Sequence, residues 1–141
     1  MEVEVNIWGV VAATVAAMAI GGVWYSKAAF GKTWMKLAKI DEARVAKEGM
    51  QSMVGMLFIS LVMAYVMAHV TYLSNTFFTD MTFLQSAMST SFWMWIGFAM
   101  PIIVSDSLFN QAPWKLTLIH GGNWLLTFLG MGLAVGLVGL A

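Results

Sequence analysis

Four apolar runs, each long enough to cross a lipid bilayer, leave this chain few folds to choose from. They cover about residues 7–25, 50–72, 84–109 and 116–139. A hydrocarbon core about 30 Å thick takes about 20 helical residues to cross. Its interior offers no water to the backbone, so each run must satisfy its own polar groups as an α-helix. The expected fold is all-α: a polytopic membrane protein with four transmembrane helices in a single domain over residues 1–141 and a short amphipathic cytoplasmic segment between helices one and two. Composition agrees, with 60% hydrophobic residues, 10% charged and a mean hydropathy of +0.80. Soluble domains carry about 25% charged residues. The first run begins behind Glu2 and Glu4, and a basic stretch follows it. That order suits a retained helix better than a cleaved signal peptide.

Charge orients the bundle. Net charge is zero, yet six of the seven basic residues (Lys27, Lys32, Lys36, Lys39, Arg44 and Lys47) lie between the first two runs, and the seventh, Lys115, lies between the last two. The opposite side carries Glu4 and Asp80 and no Lys or Arg. The positive-inside rule makes the lysine side cytoplasmic. The expected location is the cell membrane, with both termini outside and the loops 26–49 and 110–115 inside. Flanked by membrane-length runs, the basic cluster does not read as a nucleic-acid surface. With no Cys, disulfides and thiolate metal sites are excluded.

Where the first run meets water, the chain reads VWYSKAAFGKTWMK. Trp24 and Tyr25 suit an aromatic belt at headgroup depth, as does Trp114 at the start of the last run. Phe30, Trp34 and Leu37 then fall on one helical face, with Lys32, Lys36 and Lys39 opposite, the pattern of a short helix lying in the interface with its ammonium groups towards anionic lipid. IDEARVAKEG reads as a second short helix, capped by Asp41 and ended by Gly49.

Two strings carry a resemblance. WYSKAAFGKTW, a membrane helix ending in W-Y-S and followed by F-G-x-x-W, resembles the uncharacterised domain of unknown function family 1761. APWKLTLIHGGNWLL, a W-K pair opening the last helix with a small-residue pair and an aromatic downstream, is similar to the same pattern. The resemblance implies a small four-helix integral membrane protein and supplies no activity. In that family Pro often follows W-Y-S; Lys27 stands here, so the resemblance implies no rigid turn at that point.

Small residues recur at helix-packing spacing: Gly9, Ala13, Ala17 and Gly21 on helix one, Ser60, Ala64 and Ala68 on helix two, Gly132 and Gly136 on helix four. In lipid such stripes let backbones approach closely, either within one bundle or against a partner. Met53, Met56, Met63 and Met67 fall on one face of helix two. Thioethers suit Cu(I), but a flexible apolar seam is the simpler reading. His69 and His120 belong to opposite ends and cannot share an ion. No metal or cofactor is expected.

The polar residues inside the runs raise the sharpest question. Asp106 stands about one turn before the end of helix three and His120 about one turn into helix four, with the short NQAPWK loop between them. Antiparallel neighbours would bring both to similar depth near Ser105, Ser107, Asn123, Tyr25 and Ser26. Ionisable groups within a membrane segment raise a functional hypothesis by default; the plainer alternative is a solvated or paired cluster that fixes the hairpin. Pro101 is expected to kink helix three just above. There is no phosphate loop, nucleophile elbow or H-E-x-x-H motif, so no enzyme is expected. No internal repeat supports a one-chain transporter. The expected function is a structural or accessory helix bundle packing with itself or a larger membrane complex, with lipid as its surroundings. The alternative is a small oligomeric transporter using Asp106 and His120.

Overall fold

In the computed structural model residues 3–140 are described, and they form five helices and no strand. Glu2, read above as part of the acidic terminus, lies outside the described residues. The helices are α1 (Ile7–Trp24), α2 (Gly31–Ala38), α3 (Glu42–Phe77), α4 (Phe83–Phe109) and α5 (Trp114–Val138). All but α2 are long and apolar enough to cross a membrane. The end where α1 finishes and α5 begins carries every Lys and Arg and is called the basic end below.

Side chains begin the helices locally. Asn6 accepts from the Trp8 N–H at 3.0 Å, and its amide donates to the Gly139 and Leu140 carbonyls at 3.2 Å each, tying the start of α1 to the end of α5. Asp41 caps α3 through the Arg44 N–H at 2.8 Å. Thr82 and Gln85 form a reciprocal capping box on α4.

Two expectations are corrected. The segment after Asp41 is not a separate short helix ended by Gly49. It is the first part of α3, which runs unbroken for 36 residues, so the second run begins at Glu42 rather than at 50 and ends at Phe77 rather than at 72. Gly49 has no positive φ, and the helix formers around it carry the ladder through. At about 1.5 Å per residue α3 is about 54 Å long, well beyond a hydrocarbon core. The methionine stripe is not a continuous seam either. Met67 is fully buried, but Met53 is 58% exposed and Met56 37%, because every residue from Met50 to Ile59 stands clear of the other helices.

Pro101 acts through the backbone just before it. α4 makes a π turn at Trp95–Ala99, where the Met100 N–H reaches back to the Trp95 carbonyl. Proline has no N–H and its ring crowds the preceding turn, so the ladder slips by one residue.

The core lies where α1, α3 and α5 meet, on Val10, Ala13, Ala17, Ala64, Met67, Ala68, Phe128, Met131 and Val135. Most of the small-residue stripes are used here. Gly9 faces Val135 and Val138, while Ser60, Ala64 and Ala68 are buried. Gly132 meets Ser91 and Ala87 of α4, and Gly136 meets Leu84 and Ala87. Gly21 departs from its stripe, with open space where a Cβ would stand.

Candidate functional site at the basic end

The site is built around the string His120–Gly121–Gly122–Asn123 on α5. Tyr25, just past the end of α1, shares a 2.6 Å hydrogen bond between its hydroxyl and Nδ1 of His120. The Trp24 indole donates to the Ile119 carbonyl at 3.0 Å, and the Trp95 indole donates to the Gly121 carbonyl at 3.0 Å. Three spans are thus tied within one turn of α5. The glycine pair makes the approach possible. A Cβ at Gly122 would stand 3.1 Å from the Trp24 ring, and one at Gly121 would stand 2.8 Å from the Met100 sulfur. One turn nearer the loop, the Thr117 hydroxyl bonds the Ser107 hydroxyl at 2.7 Å and closes the α4–α5 hairpin.

α2 is fixed to the same end. The Gly31 N–H bonds the Ser26 carbonyl at 2.9 Å, and the Phe30 N–H bonds the Trp24 carbonyl at 2.9 Å. Gly31 begins α2, and the Tyr25 and Ser26 carbonyls occupy the space a Cβ would need there. Trp34 meets the Tyr25 ring edge-on with centroids 5.2 Å apart, and Phe30 lies against Trp24 at 4.4 Å. Trp34 and Leu37 are half-buried, while Lys32, Lys36 and Lys39 are exposed. Trp114 is exposed beside the α4–α5 loop.

The polar residues singled out in the sequence are only partly gathered. Tyr25 and His120 meet. Asp106 does not join them: it is exposed, accepts from the Asn110 amide at 2.7 Å, and stands by an open hollow with Pro101, Ile102, Ser105 and Phe109. Among the described residues no hydrogen bond or ion pair links it to His120. α4 turns the Asp106 side chain outward and presents Ser107 to α5 instead. Ser26 bonds the Val23 carbonyl at 2.7 Å and so serves the end of α1. Asn123 is buried, and its side-chain oxygen has no hydrogen-bond partner among the described residues.

Sequence reasoning missed the two indole ties and Thr117. The signal for the first was the glycine pair beside a histidine, which marks a close approach; Trp24 was read as a belt residue alone, and Trp95 was not singled out. Among the described residues no group of three His, Cys, Asp or Glu is placed to hold a metal.

The description of the family "protein of unknown function (DUF1761)" matches residues 8–136. The chain belongs to this family. The matched span takes in both strings on which the resemblance was based, and the DUF1761 assignment carries no activity with it. Searches of curated proteins and of solved structures found no match.

Proposed function

We propose that this DUF1761 protein is an accessory helix-bundle subunit of a membrane, working by packing against itself or a larger membrane complex rather than by catalysis or transport. The observation that carries this reading is the use made of the side chains best suited to chemistry. Tyr25, His120, Trp24, Trp95, Ser107 and Thr117 are engaged in ties between spans. Interhelical hydrogen bonds of this kind hold membrane bundles together. The seven basic residues at one end support a cytoplasmic basic end with both termini on the far side.

A small oligomeric transporter is the second reading. The exposed Asp106 carboxylate beside Ser105 and Pro101 is the observation in its favour. One experiment separates the two: wild type and Asp106→Asn are purified in mild detergent, weighed, and reconstituted into vesicles. The accessory reading expects an assembly heavier than one chain and no pH-driven flux from either protein. A pH-dependent flux that Asp106→Asn abolishes without altering the assembly would replace it with the transport reading.

A further inference from the structure

The outward face of α4 carries a feature that lipid serves badly. In a regular helix the Ile96 carbonyl would accept from Met100 and the Gly97 carbonyl from residue 101. Met100 instead donates to Trp95, and Pro101 has no N–H to give. Both carbonyls lose their ordinary donors in the middle of a membrane-length helix, on residues that are exposed. Backbone groups freed by a proline are tolerated in a bilayer where a neighbouring helix supplies a partner. Among the described residues no side chain from a neighbouring helix bonds either carbonyl, and from Trp95 onward α4 packs chiefly on α5.

The adjacent span carries the reciprocal need. Tyr65 on α3 is 49% exposed, with His69 as its ring neighbour, and its hydroxyl makes no hydrogen bond among the described residues. Tyr65 is twelve residues from the Phe77 end of α3, and Gly97 is fourteen from the Phe83 end of α4. At about 1.5 Å per residue these depths are about 18 and 21 Å. The Tyr65 side chain leans towards the start of its helix, which closes the difference. The same antiparallel register sets Val62 opposite Phe98 and Gly55 opposite Ser105, all exposed, and Gly55 and Gly97 both have open space where a Cβ would stand.

We propose that two copies of this chain pair through the outward faces of α3 and α4 about a two-fold axis along the membrane normal, the Tyr65 hydroxyl of each donating to the Ile96–Gly97 carbonyls of the other. One chain carries both the hydroxyl without a bond among the described residues and the carbonyls that have lost their ordinary donors, at equal depth on neighbouring helices. A two-fold brings each donor to the other copy's acceptors, so the contact forms twice and closes. The inference deepens the accessory reading by naming the partner in self-packing.

The chain has no Cys, so single cysteines report cleanly. Val62→Cys and Phe98→Cys chains with different tags are co-expressed and oxidised in native membranes. The expected product is the mixed 62–98 dimer. Tyr65→Phe should weaken dimerisation on detergent dilution by roughly tenfold, for two modest interhelical hydrogen bonds. Pro101→Ala returns an N–H to the ladder, so in that background Tyr65→Phe should change little. No mixed cross-link in folded protein, or a Tyr65→Phe dimer as strong as wild type, overturns the proposal and leaves lipid or another subunit covering the face. The accessory reading fails separately, by the Asp106-dependent flux, and such a flux from a cross-linked dimer would leave the pairing standing.

Discussion

Gly132→Ala should loosen the bundle more than any other single methyl on the spans. The new Cβ would collide with the Ser91 hydroxyl and stand 2.9 Å from the Ala87 carbonyl. Ser91 cannot easily turn aside, because its hydroxyl already bonds that carbonyl at 2.7 Å and approaches the Met67 sulfur at 3.4 Å. The carbonyl itself belongs to the α4 backbone. Relief requires α4 and α5 to separate along the seam that also holds Gly136 against Leu84 and Ala87. Overpacking of this kind costs about 1–3 kcal/mol, and a thermal melt in detergent should show it. Gly21→Ala is the matched control: nothing stands within 4 Å of its Cβ position. There the gain in helix propensity should leave the melt unchanged or raise stability by up to about 1 kcal/mol. Equal losses from the two variants would mean that the α4–α5 seam is not close-packed.

Gly31→Ala should have an effect of similar size at the other end of the molecule. The nearest atoms to its Cβ are the Tyr25 carbonyl oxygen, the Ser26 carbonyl oxygen at 2.6 Å and the Ser26 carbonyl carbon at 2.8 Å. All three are backbone, so no rotamer change can relieve the clash. α2 must leave its place, and Trp34 must then leave Tyr25. The expected cost is about 3 kcal/mol, the upper part of the overpacking range. The readouts are a changed Trp34 fluorescence and faster tryptic cleavage at Lys32 and Lys36. Unchanged cleavage would show that α2 is not seated through Gly31. The clash also accounts for the F-G-x-x-W string in this chain: the glycine admits the carbonyls, and the tryptophan three residues on covers Tyr25.

These glycines mark the boundary between what could be read in the sequence and what could not. Periodicity and length were sufficient for the four membrane-length helices, because lipid allows the backbone few alternatives. They placed Ala13, Ala17, Ala64 and Ala68 on faces that prove to be buried. Local propensity failed at Gly49, where a stop signal was overridden by helix formers on both sides. Pattern alone could not separate lipid-facing from core-facing positions on α3, so Met53 and Met56 were read with Met67 although only Met67 is in the core. Depth was readable and azimuth was not. Asp106 and His120 were set at the same end, but one-dimensional spacing could not show that α4 turns Ser107 towards α5 and Asp106 away from it. Tyr25 was set near His120, but that the two bond depends on how the end of α1 crosses α5, with the Trp24 ring against Gly122.

The central claim is that these helices cross a membrane with the basic end inside. Single-cysteine labelling of Ser74→Cys, near the far end of α3, and Gln111→Cys, in the α4–α5 loop, tests it most directly, since the chain offers no other thiol. Ser74→Cys should react with an impermeant reagent on intact cells, and Gln111→Cys only after lysis. The reverse order would invert the orientation, and equal access to both sites from one side would contradict the crossing itself.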